Sequence, residues 1–234
     1  MSQDQLVVLP LWYAVFLLSV TCHEAAHGWA ALRGGDETAY LGGQVTLNPL
    51  PHIVREPFGT VLVPLMTYFW MGWMMGWASA PYDPLWEDRY PKRSAAMAAA
   101  GPIANLILAV LAFVALRAGL QASVWVPAEG ELFGVDRLVL PLQPEAGVIE
   151  GLGRFLSLML FLNVLLFLFN LIPLPPLDGA AVASGLFPAA RRLRDQLRAS
   201  GFGALIGLVV AIYAIRWLFG PVYSAILGLL FGGI

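Results

Sequence analysis

The sequence predicts an all-α polytopic membrane protein, with about five to six transmembrane or re-entrant helices and a small β-hairpin after the first. Three observations carry that prediction. The 234 residues are 59% hydrophobic and only 12% charged, with a mean hydropathy of +0.74, where a soluble domain is about a quarter charged. Apolar runs cover 6–32, 58–80, 94–116, 155–172 and 202–219, and each is close to the ~20 residues a helix needs to cross the hydrocarbon core. The charges collect between these runs, as they do where loops meet water.

The chain reads as a single membrane domain, 1–234. Its first helix, 6–32, has no basic stretch before it and runs straight into a cluster of polar residues, so it is expected to be retained, not cleaved as a signal peptide. Residues 40–47 show short alternation with glycines, which suits a small hairpin; a structured loop with Gly34 and Gly35 ending the helix is the other reading. Segment 58–80 is interrupted by Pro64, Gly72 and Gly76 and is expected to re-enter or to span. Helix 94–118 follows, then an outer loop, 119–152, then a helix over 153–178 ending in Leu-Asp-Gly. C-terminal helices occupy 201–234, where 222–234 is a weaker run of its own.

Basic residues set the orientation. Arg33 follows the first helix, Arg89, Lys92 and Arg93 precede the third segment, and Arg191, Arg192, Arg194 and Arg198 follow Asp178. Positive-inside bias places them all in the cytosol, while 121–151, with five acidic residues and Arg137, suits the outer side. Arg117 and Arg154 are expected to snorkel at helix ends. A net charge of −2 without a basic tail gives no sign of nucleic acid as a partner. The single Cys22 excludes an intrachain disulfide and a cysteine-based zinc site. The oligomeric state is not encoded in any pattern of this kind.

Chemistry enters at TCHEAAHGWAA. His23 and His27 stand four apart, so on a helix they share one face a turn apart. Two imidazoles so placed can bind one metal ion, and Glu24 beside them can take a proton from a water that the metal activates. Ionisable groups inside a membrane cost several kcal/mol, which favours a functional reading over interhelical hydrogen bonds. A hydrolytic zinc site needs a third protein ligand. His52 is available but lies in a polar loop. Asp178, in FNLIPLPPLDGAA, is the better candidate, because Pro173, Pro175 and Pro176 prevent a regular helix just before it. Non-helical backbone at membrane depth needs protein or a wet cavity around it. A helix-capping role at the bilayer edge is the alternative for Asp178.

The pair HEAAH and NLIPLPPLDG resembles the hallmarks of the site-2 protease family of intramembrane zinc metalloproteases, H-E-x-x-H and N-x-x-P-x-x-x-L-D-G. GGQVTLNPLPHI, GWASAP and AGPIAN, with Gly101, Pro102 and Asn105, are similar to its compact members without a PDZ domain. The resemblance implies that His23, His27 and Asp178 hold one Zn2+, that Glu24 activates water, and that Asn170 helps hold the substrate or the developing oxyanion. It implies transmembrane protein substrates within a lipid bilayer, in a bacterial cell membrane, with the active site nearer the cytosol. The chain departs from many relatives at Ser79, where they have lysine, and at Ala180 and Ala181, where they continue Gly-Arg. A membrane metal transporter, or a relative that binds transmembrane segments without cutting them, would use the same groups differently.

Overall fold

The computed structural model describes residues 3–130, 134–143 and 147–233. Among the described residues, four helices are long and apolar enough to cross a membrane. They are α1 (Gln3–Gly34), α6 (Pro91–Gln121), α7 (Gly147–Asn170) and α10 (Gly203–Phe231). Short helices connect them: α2 (Thr38–Leu41), α3 (Pro49–Arg55), α4 (Val63–Met71), α5 (Pro84–Arg89), α8 (Asp178–Leu186) and α9 (Pro188–Ala199). The chain is an integral membrane protein of mostly helical architecture with one small two-stranded sheet.

Helix α6 forms the middle of the bundle and packs on α1, α7 and α8. Its buried positions are mostly small: Ala95, Ala98, Gly101, Ala109 and Ala112. Lipid supplies no hydrophobic force between helices, so close backbone approach over small residues and interhelical hydrogen bonds must hold them. The large buried side chains, among them Phe16, Leu116, Leu158 and Leu162, fill the space between α1, α6 and α7.

Helix α1 ends as its glycines dictate. Gly35 has φ +94°, its N–H bonds to Leu32 O at 3.1 Å, and the Asp36 N–H closes on Ala31 O at 2.9 Å. The Gly34 carbonyl accepts from Trp86 Nε1 and from Arg93 Nη1, each at 3.1 Å. These bonds satisfy orphan carbonyls that every helix end leaves and pin the end of α1 to α5 and α6.

The sheet lies elsewhere than 40–47. Strands β1 (Trp125–Pro127) and β2 (Val139–Pro141) pair antiparallel in the loop between α6 and α7, with Trp125 opposite Pro141. Residues 40–47 instead begin as the end of α2, where Gly42 N bonds to Thr38 O and Gln44 N to Ala39 O. The glycines that suggested a strand turn are a helix stop, with Gly43 at φ +70°. The structured-loop reading describes this stretch.

Segment 58–80 does not form a membrane-length helix. A π-helical turn, Phe58–Leu62, leads into α4, and the chain reverses at Gly72, φ +80°. It then returns without regular structure, so that Trp77 N donates to Gly59 O at 3.1 Å and Met75 N to Thr67 Oγ1 at 2.9 Å. Both ends of the segment therefore lie side by side.

Three further expectations are revised. Helix α7 stops at Asn170, and Asp178 opens α8 instead of closing the helix before it. The prolines between them withhold the donors that α7 would need to continue. The runs 202–219 and 222–234 form one helix, α10, which accommodates Pro221 inside it. Arg154 is buried, with Glu150 at 3.3 Å and Asp136 at 3.8 Å, and Arg117 donates to Leu230 O and Gly232 O; neither simply snorkels. In both cases the guanidinium has protein partners.

The return of 72–80 against 58–62 depends on two glycines. A Cβ at Gly59 would collide with the Trp77 carbonyl, and one at Gly76 with the Gly59 carbonyl and Phe16. Gly59→Ala and Gly76→Ala should each destabilise the protein by about 1–3 kcal/mol. Thermal unfolding in detergent checks this, with Gly220→Ala, which meets nothing within 4 Å, expected to leave Tm unchanged or raise it.

Candidate metal centre

One helical turn separates His23 from His27 on α1, and their rings meet edge to face with centroids 4.6 Å apart. Both are buried. Asp178 arrives from the start of α8 and sets Oδ2 3.1 Å from His23 Nε2 and 3.4 Å from His27 Nε2. The two Nε2 atoms are themselves 3.0 Å apart. Ligands with bonds of about 2.0–2.1 Å lie roughly 3.3 Å from one another on a tetrahedron. The three observed edges bracket that value.

The protonation of these groups follows from their other contacts. His27 Nδ1 lies 2.8 Å from Met97 O, and a carbonyl only accepts, so Nδ1 carries the hydrogen. The assignment for His23 can be traced from Val15 O, which accepts from Ser19 Oγ at 2.8 Å. Ser19 Oγ then accepts from Asn163 Nδ2 at 2.9 Å. Asn163 Oδ1 accepts from Asn105 Nδ2 at 2.8 Å. This leaves Asn105 Oδ1 to accept from His23 Nδ1 at 2.6 Å. With hydrogen on both Nδ1 atoms, both neutral imidazoles present an Nε2 lone pair to each other and to a carboxylate.

Three acceptors facing one point repel unless a cation lies among them. Asp178 Oδ2 is buried and has no hydrogen-bond donor. One proton would bridge one pair of these atoms, whereas a divalent ion serves all three. Gly101 keeps the place open: a Cβ there would collide with His27 Nε2 and lie 2.6 Å from His23 Nε2. His23, His27 and Asp178 thus fit a metal ion by donor chemistry, by spacing and by the room left in front of them.

Glu24 is buried and lines a cavity of about 310 Å³ together with His27 and Asp178. The irregular backbone of Pro175, Pro176 and Leu177 forms one wall, and residues 78–82 form another. Ser79 helps hold that second wall in place. Its hydroxyl lies 2.6 Å from Glu56 Oε1 and its carbonyl accepts from Arg55 Nε at 3.0 Å. Behind the first wall, α10 approaches so closely that a Cβ at Gly207 would collide with the Pro175 carbonyl.

Not every candidate joins the cluster. Asn170 donates Nδ2 to Leu166 O at 3.1 Å within α7 and does not line the cavity. His52 is buried against the loop, with Nε2 3.1 Å from Thr46 O, which is the backbone-satisfying role common to such histidines. Cys22 faces an apolar groove on the other side of α1. Sequence reasoning left the role of Asn105 open and missed Asn163 and Ser19. Asn163 did carry a signal, being a lone amide in LMLFLNVLLF.

Four membrane-length helices around a cluster of two histidines and a carboxylate, with a buried glutamate beside it, define a membrane metalloprotein equipped for hydrolysis. Comparison with known proteins narrows the class. Residues 12–214 match the model of peptidase family M50. The chain is 33% identical over 208 residues to "Putative zinc metalloprotease YwhC" of Bacillus subtilis, covering 88% of this chain and 82% of that protein. It is 29% identical over 217 residues to Rip2 of Mycolicibacterium smegmatis, covering 92% and 73% respectively. Rip2 of Mycobacterium tuberculosis is 28% identical over 211 residues, covering 90% and 70%. No solved structure matches. The chain belongs to peptidase family M50, the site-2 protease family, and is a membrane zinc metalloprotease.

Two substitutions probe the centre. Asn105→Ala should cost about 10–100-fold in zinc affinity by freeing the His23 ring, and Gly101→Ala should cost more by filling the ion's place. Metal content of the purified protein, measured across a series of chelator concentrations, checks both.

Proposed function

We propose that this protein hydrolyses peptide bonds in or near the transmembrane segments of other membrane proteins, with Glu24 as general base. The observation that carries this reading is the burial of Glu24 beside His23, His27 and Asp178, at a cavity inside a bundle of membrane-length helices. A zinc ion held by those three residues would supply Lewis acidity to a water and to the scissile carbonyl. Glu24 takes the proton from the attacking water and later delivers it to the leaving amine. Asn105 and Met97 O fix the two imidazoles so that neither has to reorganise during the reaction.

A peptide bond inside a helix is shielded by its own hydrogen bonds, so the substrate unwinds before it reaches Glu24. The irregular walls at 78–82 and 175–177 suit an extended chain better than a helix. Asn170 enters the proposal through the family motif and its place where the chain leaves α7 toward Asp178; its role is to hold the unwound substrate or the developing oxyanion. Arg33, Arg93, Arg194 and Arg198 follow or flank the elements that carry the centre. Positive-inside bias then puts the cavity toward the cytosol of a bacterial cell.

A transport role would call for further ligand groups along a path. Among the described residues, His23, His27 and Asp178 are the one such group. A purely binding role would leave Glu24 without a task.

Glu24→Gln should retain zinc and lose about 10²–10⁴-fold in cleavage rate. The assay uses purified zinc-loaded protein and a transmembrane substrate in detergent, with metal content measured on the same sample. A variant that cuts as fast as wild type would remove Glu24 from the mechanism.

A further inference from the structure

The same cavity that holds Glu24 and Asp178 also holds two arginines of α9, Arg194 and Arg198. Their circumstances differ. Arg194 is buried and paired with Glu87, Nη1 to Oε1 at 2.6 Å, and its Nε lies 3.7 Å from Asp195 Oδ1. Arg191, next on the same face, is paired with Asp88 at 2.6 Å. Arg198 lines the cavity, is exposed, and its side chain has no ion pair or hydrogen bond to the described residues. The acidic groups around it are committed. Glu87 and Asp195 face Arg194, Asp178 faces the two imidazoles, and Glu24 is the base.

A guanidinium cannot shed its charge by deprotonation, and its planar fork matches a carboxylate. The cavity therefore has an uncompensated cation on the wall formed by α9, a helix that two ion pairs tie to α5. We propose that Arg198 is a substrate-specificity residue, which binds a carboxylate side chain flanking the scissile bond. This rests on the proteolytic reading and on the orientation proposed with it.

The consequence is selection against bystanders. Ordinary membrane helices carry lysine and arginine just beyond their cytosolic ends. A positive charge at the cavity wall repels those flanks and accepts an acidic one, so discrimination comes from repulsion as much as from attraction. Because Arg198 is exposed, solvent and salt screen the pair, and the preference is modest.

The test is a set of synthetic transmembrane peptides, identical except that Glu, Gln or Lys is walked along the flank of the cleaved bond. With zinc-loaded wild-type protein, one position should favour Glu over Lys by roughly three- to tenfold. Arg198→Glu should invert that order at the same position, and Arg198→Gln should flatten it. Arg192→Glu, on the same helix but outside the cavity, should keep the wild-type order. An unchanged Glu-to-Lys ratio in Arg198→Glu overturns the proposal. Binding of the same peptides to Glu24→Gln, read by fluorescence anisotropy, is expected to show the same order without any cleavage. If wild type cuts no peptide, the protease reading falls by itself. The binding order then decides Arg198 independently, a Glu preference upholding the subsite and equal binding removing it.

Discussion

The rest of the structure depends on the convergence of three lone-pair atoms from distant parts of the chain. His23 Nε2, His27 Nε2 and Asp178 Oδ2 lie 3.0–3.4 Å from one another in buried surroundings. Such a group is unfavourable without a cation, because each atom has left water and gained only repulsion. The bundle must hold it together against that repulsion. The hydrogen-bond chain from Val15 through Ser19, Asn163 and Asn105 to His23 does this across three helices. It also uses nearly every polar atom it buries, as a bundle in lipid requires.

Asp178 reaches the site by a different device. A carboxylate within α7 would be held at a fixed rotation on that helix. The chain instead leaves α7 at Asn170, runs through prolines, and begins α8 at Asp178. The irregular stretch has the freedom to aim Asp178, and the same stretch forms a wall of the cavity. Gly179 sits so close to the carbonyls of Leu171 and Ile172 that no side chain fits there. The requirement for glycine in Leu-Asp-Gly is therefore steric, and it serves the placement of the ligand before it.

Part of the candidate metal cluster was legible in the sequence, because helical periodicity alone puts His23 and His27 on one face. Asp178 was legible because a charge after an apolar run needs a partner. The number of long helices was legible less well. Residues 58–80 are apolar enough to span; Pro64, Gly72 and Gly76 already made re-entry one of the two readings, and the packing of Gly59 against Gly76 selects it. The misplaced hairpin has a similar cause. Glycines at 42 and 43 end a short helix as readily as they turn a strand, and the local pattern is the same. Asn163 was overlooked because one amide in a leucine-rich helix has no spacing partner in sequence; its partners come from α1 and α6. Asn170 matched its motif, yet the fold commits one of its amide hydrogens to its own helix.

The cavity is assembled from two sets of elements with different physical demands. Its floor, from α1, α6 and the start of α8, is buried and must be rigid to within the tolerance of a metal site. Its outer wall, from α5, α9 and residues 78–82, is partly wet and held by charge. Buried ion pairs such as Glu87–Arg194 contribute little net stability, because desolvation offsets their attraction, but leaving one partner alone is costly. Such a pair is therefore better at fixing where α9 lies than at holding the protein folded. That division lets the outer wall change its side chains, and with them what enters, while the floor keeps the geometry that the reaction requires.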